Sequence, residues 1–261
     1  MKVILHADDF GFDEQTTLAT IELLEAGVLT SATIMPKMPA TQMALEYAAT
    51  HPDKSFGVHL TYVDELPSCE KCIPSLVNRG GYFLPSNEVR RRALLFKIKR
   101  DDIVRESLAQ IRVLSQAGVR VSHLDSHGHL HKFPAFLFAL NQITKLSGIE
   151  KVRRVQNIFV EKPKIGPTTL LNGLFSQYIS NRFKSTDFFY MSANNMDKGW
   201  SEAILAQMDM LPHNATIEIG VHPSSPGYSE DWRVSEYNDI QIFASKLKEN
   251  GKHEIISWND L

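Results

Sequence analysis

Four of the chain's ten histidines lie within nine positions of "VSHLDSHGHLHKFP", where His127, His129 and His131 follow His123 and Asp125. Further groups of the same chemistry stand elsewhere: Asp8 and Asp9 in "HADDFG", His59 in "FGVHLT" and His222 in "GVHPSSPG". Imidazole together with carboxylate suits zinc, iron, manganese or nickel, and a catalytic site uses three protein ligands while leaving a position for water. Asp9, His59 and one histidine of "DSHGH" would make such a set. Side chains alternate along a strand, so His123, Asp125 and His127 are expected on one face, with Leu124 and Ser126 on the other. Not all of these can reach one ion, so the remainder must orient ligands or meet the substrate. A single strand-end histidine is usually a hydrogen-bonded core residue, and a single aspartate after a strand is usually a helix cap. Four clusters at one topological edge do not fit that reading.

The elements that must carry these groups follow from the hydrophobic pattern. "KVILHA", "TSATIMP", "SFGVHLT", "RVSHLDS", "KVRRVQ", "TDFFYM", "ATIEIGVH" and "HEIISW" read as short, apolar strands. Between them run helical patterns: "DEQTTLATIELLEAG", ending at Gly27; residues 39–50, with Ala40, Met43, Ala44, Tyr47 and Ala48 on one face; residues 101–117, stopped by Gly118; "FPAFLFALNQITKL"; and a helix from about Glu236 to Asn250. The alternation predicts a distorted (β/α) barrel of seven to eight mostly parallel strands with outer helices, spanning residues 1–261 as a single domain. An open doubly wound sheet is the alternative. Insertions at about 62–100 and 158–200 interrupt the rhythm and are expected to build the rim of the site. In a barrel the site forms where strands turn into helices, and each polar cluster lies at such a point.

Composition excludes several classes. A formal charge of −2 without a basic tail offers nucleic acid no electrostatic footprint. The longest apolar run, "FPAFLFAL", is far short of a membrane span. "MKVIL" reads as a buried first strand and not as a signal peptide, so a cytoplasmic protein is expected. The basic run "RRRALLFKIKR" reads as a solvated helix face. Cys69 and Cys72 have the spacing of half a zinc ribbon, but no second pair exists, so two loop thiols in a reducing compartment are expected.

Taken together and in order, "HADDFG", "GVLTSATIM", "FGVHLT", "HLDSHGHLHKFP" and "GVHPSSPG" resemble the YdjC family of carbohydrate deacetylases, over nearly the whole chain. The resemblance implies a barrel related to the NodB-type polysaccharide deacetylases, one divalent metal ion (Mg or Zn), and hydrolysis of an N-acetyl group on a sugar. By position it implies Asp9, His59 and His127 as metal ligands, Asp8 as general base and His222 as general acid. Arg153 matches a basic position of the family, and Gly128 stands where the family often has a further histidine. His123, Asp125, His129, His131 and Arg153 are then expected to meet the substrate or to support the ligands. Asp125 in particular is expected to orient a histidine, and His129 or His131 could replace His127 by a shift of register.

This chemistry agrees with the residue types. Amide hydrolysis needs an activated water, a polarised carbonyl and a proton for the leaving amine. The implied partner is a small acetylated sugar or short chito-oligosaccharide; a homodimer is left open. Other chemistries remain on the same barrel. A glycoside hydrolase would need two carboxylates flanking one bond, which adjacent Asp8 and Asp9 do poorly. A metal-dependent sugar-binding protein would need the ligands but not Asp8, and a phosphoesterase or aldolase also stays open.

Overall fold

The computed structural model describes residues 1–63, 65–69, 71–161, 166–192, 199–227 and 231–261. Its centre is β1 (Lys2–Phe10), buried at every position but the first. Six further strands follow: β2 (Ser31–Ile34), β3 (Ser55–Leu60), β4 (Val121–Ser126), β5 (Phe188–Met191), β6 (Thr216–Val221) and β7 (Glu254–Ile256). All pairings between named strands are parallel, in the order β4-β3-β2-β1-β6-β5. The start of β1 also pairs with β7, on the edge that β2 takes further along. The sheet curls into a half-barrel, and helices cover its outside.

Those helices are α1 (Glu14–Glu25), α2 (Thr41–Thr50), α3 (Ser86–Leu94), α4 (Arg100–Gln116), α5 (Pro134–Ser147), α6 (Pro167–Arg182), α7 (Trp200–Met208) and α8 (Asp231–Asn250). Local chemistry sets several of their ends. Asp13 caps α1, accepting from Thr16 N at 2.8 Å. Pro134 opens α5, and Gly148 ends it in the left-handed conformation. The core is aliphatic and aromatic, with Val3, Leu5, Ala7, Val58, Leu124, Ile217 and Ile219 wholly buried. Full burial of each larger aliphatic side chain stabilises by about 1.5–3 kcal/mol.

The expected strand at "KVRRVQ" is absent as a regular element. Lys151 and Val152 form only isolated bridges, to Lys184 and Leu124. The backbone there spans the gap between β4 and β5, with Arg153 N donating to Leu124 O at 2.9 Å and Asn157 N to Phe189 O at 3.2 Å. The two arginines that follow Val152 are drawn to opposite sides. Arg153 is wholly buried among carboxylates, whereas Arg154 reaches Ser176 Oγ and Thr186 O. Side-chain demands replace the ladder at this point, and the ring stays incomplete. Helix α8 also begins five residues before the sequence pattern indicates, which brings Arg233 and Glu236 onto its first turns.

Within residues 62–100 lie α3 and two free thiols, half-buried Cys69 and exposed Cys72. Glu106 of α4 anchors that loop by accepting from Ser68 N and Cys69 N at 2.8 and 2.9 Å. Of the basic run, Arg91 and Arg92 pair with Glu88, while Arg90 donates to Gly128 O at 3.3 Å. Residues 158–200 hold α6 and β5, and residues 162–165 and 193–198 of that stretch lie outside the described residues. No helix among the described residues is long and apolar enough to cross a membrane.

Candidate functional site

The C-terminal ends of β1, β3, β4 and β6 bring Asp8, Asp9, His59, Asp125 and His222 together, as the strand pattern predicts. The arrangement turns on Asp9. Strict alternation would send Asp8 and Asp9 to opposite faces. Instead Asp9 has φ 59°, and the β1–β2 register shifts between Ala7 and Phe10. A left-handed residue in a strand costs about 1–2 kcal/mol, and aspartate is among the few non-glycine types that visit this region. The result is that both carboxylates reach the same pit. Asp9 Oδ1 lies 3.3 Å from His59 Nε2, and Asp8 Oδ2 lies 4.0 Å from His59 Nδ1.

His127 is not on β4. The strand ends at Ser126, and residues His127–Lys132 form a 3-10 turn in which Gly128 and His129 both have positive φ. His127 nevertheless faces Asp9, with its Nδ1 3.1 Å from Asp9 Oδ1. Alternation therefore holds for His123 and Asp125 but does not account for His127. The same turn diverts the other two histidines. His131 Nδ1 bonds Ser126 Oγ at 2.7 Å, and the His129 ring packs edge-on to Phe189. His123 lies deeper, stacked on Trp258 with 4.3 Å between ring centroids. A Cβ on Gly57 would stand 2.7 Å from His123 Cε1 and from Thr33 Cγ2, so the glycine makes room for both side chains.

Asp9, His59 and His127 present one carboxylate oxygen and two imidazole nitrogens within 4.8 Å of one another. This donor set fits a divalent ion. His59 is also oriented for it. Asp125 Oδ1 holds His59 Nδ1 at 2.8 Å, leaving Nε2 toward Asp9, and Thr33 Oγ1 donates to Asp125 Oδ2 at 3.0 Å. Two other clusters among the described residues have ligand chemistry, His6 with His123 and Glu218, and His6 with Asp8 and Asp125. In both, the buried Arg153 cation already serves every carboxylate, whereas Asp9 gives only Oδ2 to Arg233 and keeps Oδ1 toward the two imidazoles. The Arg153 guanidinium reaches Glu218 Oε1 at 2.7 Å, Asp8 at 2.8 Å and Asp125 Oδ2 at 2.5 Å. Both His6 nitrogens are engaged by Ser31 and Thr33 hydroxyls.

Electrostatics separates the two aspartates. Burial opposes ionisation of Asp9, yet the His127 ring outweighs it and holds the carboxyl well below the usual range. For Asp8 burial prevails over Arg153, and its pKa is raised. Burial alone would lower the His59 pKa, but Asp125 and Asp8 push it to about 10. His222 projects Nε2 to 3.9 Å from Asp8 Oδ2, and its Nδ1 stands 3.3 Å from Glu236 Oε2. Burial works against its protonated form, and Glu236 more than compensates, raising the pKa.

Several members of this site escape the sequence pattern. Arg233 of α8 donates to Asp9 Oδ2 at 2.8 Å, and Glu236, three residues on, holds His222. Their i, i+3 spacing would have placed them on one helix face had the helix start been read earlier. Glu218 is a charged residue set among apolar neighbours in β6, and His6 stands two positions before Asp8 on the same face of β1; those placements were the available signal.

Fold and site together define an α/β half-barrel protein whose polar centre gathers a carboxylate–imidazole donor set beside a second carboxylate. The chain belongs to the YdjC family: the family's YdjC-like protein model matches residues 2–254. A carbohydrate deacetylase of Vibrio parahaemolyticus is 34% identical over 224 residues, covering 86% of this chain and 78% of that one. A carbohydrate deacetylase of Geobacillus stearothermophilus is 35% identical over 142 residues, 54% of this chain and 55% of that one. The chain thus spans about half the length of the Geobacillus relative in the aligned stretch. A crystal structure from Enterococcus faecalis, described as a candidate cellobiose-phosphate cleavage protein, superposes with a TM-score of 0.75 at 24% identity, covering 99% and 98% of the two chains. That likeness establishes the fold.

Proposed function

We propose that this protein is a metal-dependent carbohydrate N-deacetylase, hydrolysing the acetamido group of a small acetylated sugar or short chito-oligosaccharide. The observation that carries this reading is the convergence of Asp9, His59 and His127 beside Asp8, with His222 across from it. The carbohydrate deacetylases among its relatives supply the substrate class. Two imidazoles in the donor set favour zinc over magnesium, which prefers oxygen ligands.

When bound, a divalent ion polarises the acyl carbonyl and acidifies a water. The protein's own groups do the rest. Asp8, aimed by Arg153, takes the proton of the attacking water. His222, held through Nδ1 by Glu236, gives a proton from Nε2 to the leaving amine as the C–N bond breaks. Acetate and the free amino sugar result, with the glycosidic bonds intact. New reducing ends in place of acetate would instead identify a glycoside hydrolase.

The direct test is acetate release from a panel of N-acetylated mono-, di- and oligosaccharides. Activity is expected to vanish with chelator and return with a divalent ion. Binding has its own pH signature. A histidine must be neutral to ligate, and His59 without the ion holds its proton up to about pH 10. Metal uptake near neutral pH should therefore release about one proton per ion, and apparent affinity should rise about tenfold per pH unit below the His59 pKa. Calorimetry in buffers of different ionisation enthalpy reads this directly, and zero proton release would remove His59 from the ligand set.

Asp125 acts on His59 and not on the ion. Asp125→Asn should weaken metal affinity or activity by about 10–100-fold, the usual loss for a group that orients a ligand, while one ion per chain still binds at saturation. Complete loss of bound metal in this variant would make Asp125 a ligand.

A further inference from the structure

Beneath Arg153 and Asp8 lies a buried chain of contacts to which the proposed reaction gives no role. Trp258, the first residue of a 3-10 turn that follows β7, is wholly buried. Its indole N–H donates to Glu218 Oε1 at 3.2 Å. The same oxygen receives Arg153 Nε at 3.0 Å and Nη2 at 2.7 Å. The opposite side of the guanidinium, Nη1, is the side that meets Asp8 and Asp125.

An arginine lying over the Phe189 ring and facing only Asp8 and Asp125 could still turn or slide between the two carboxylates. Glu218 removes that freedom, because one oxygen engaging both Nε and Nη2 fixes the guanidinium plane. Glu218 itself needs fixing, since a carboxylate on a strand has rotamers to choose from. The indole N–H supplies this, and Trp258 is in turn held by its stack on His123, at an interplanar angle of 8°, and by Lys151 Nζ donating to its carbonyl. Asn259, next in the turn, ties the same segment to Lys54 O at 3.3 Å. Every side chain of the sequence Trp258, Glu218, Arg153, Asp8 is at most 3% exposed, so water cannot substitute for a lost partner without entering the core.

We infer that Trp258 and Glu218 are positioning residues for the reaction: the turn after β7 fixes Glu218, Glu218 fixes Arg153, and Arg153 thereby sets the position of Asp8. The inference rests on the proposed role of Asp8 as the base. It assigns a function to a segment more than two hundred residues from Asp8 along the chain.

The test uses the full chain loaded with zinc and three variants. Trp258→Phe keeps a ring against His123 and loses the N–H donor together with part of the indole's volume. Glu218→Leu removes the acceptor, and Glu218→Gln keeps an oxygen for both Arg153 and the indole. Trp258→Phe and Glu218→Leu are expected to lower kcat by about 10–100-fold, with KM within about twofold and one ion bound per chain. Glu218→Gln should restore most of the loss. Crystal structures of the zinc-free variants supply a readout independent of turnover: the Arg153 plane should rotate and the Asp8 carboxylate shift in Glu218→Leu, and both should return in Glu218→Gln. Wild-type positions for Arg153 and Asp8 in Glu218→Leu would overturn the inference, as would a parallel fall of kcat, metal content and melting temperature that Glu218→Gln does not reverse. If the wild-type chain releases no acetate, the deacetylase reading fails, and the crystallographic comparison alone decides whether the turn positions Asp8.

Discussion

His222→Ala is expected to lower turnover by about 10²–10⁴-fold while the ion stays bound and KM changes little, the usual cost of losing a general acid. In the proposed reaction this residue is the donor. His59 and His127 turn toward Asp9, His131 is tied to Ser126, and His123 is stacked under the floor, whereas His222 presents Nε2 to the pit with Nδ1 occupied by Glu236. The hydrogen bond to Glu236 also fixes the ring's tautomer and orientation. Glu236 outweighs burial and raises the His222 pKa, which favours the protonated imidazole that a general acid needs. That proton is lost as pH rises through the raised value, so kcat should fall on the alkaline side. Glu236→Gln removes the charge that raises the pKa, and the alkaline limb should then move to lower pH. Near-normal turnover in His222→Ala, or loss of its metal, would oblige the proton to come from elsewhere.

How much of this was legible in the sequence depends on the range of the signal. The strand–helix rhythm is local, and it located β1 to β7 together with α1, α2, α4, α5 and most of α8, but neither α6 nor α7. The clusters at strand ends followed from that rhythm, because parallel strands expose their C-terminal ends on one side. What failed was set by tertiary demand. "KVRRVQ" has a strand's composition, yet Arg153 is taken by carboxylates on β1, β4 and β6, and the backbone forms only single bridges. Alternation placed Asp125 correctly but broke at Asp9, where the left-handed residue and shifted register put neighbours on one side. It also ended at Ser126, so the facing of His127 comes from a 3-10 turn that no period-two pattern describes. Glu236, Arg233 and Trp258 come from distant segments, and only the folded chain brings them to Asp9, His222 and Glu218.

The different roles proposed for adjacent Asp8 and Asp9 give the most exacting prediction, and one pair of conservative variants separates them. Asp8→Asn is expected to keep one ion per chain and lose about 10²–10⁴-fold in turnover, since an amide cannot accept the water's proton. Asp9→Asn is expected to lose the ion at ordinary metal concentrations and to bring activity to background. Asparagine is the right replacement at position 9 because it tolerates positive φ, so the loss reads ligand chemistry and not backbone strain. It also keeps an oxygen acceptor for Arg233 Nη2, which donates to Asp9 Oδ2. At position 8 the amide retains an oxygen toward Arg153 Nη1, although it gives up the charge that this buried cation faces. Removing one partner of a buried ion pair can cost about 3–5 kcal/mol, so melting temperature must be followed beside turnover. Asp125 and Glu218 still face Arg153 in Asp8→Asn and should limit that cost. Metal content by elemental analysis and acetate release then form a two-by-two comparison: position 8 loses rate without metal, and position 9 loses both. An Asp8→Asn protein without its ion would make the pair a joint ligand, and an Asp9→Asn protein that binds metal as tightly as the wild type would move the ion away from the end of β1.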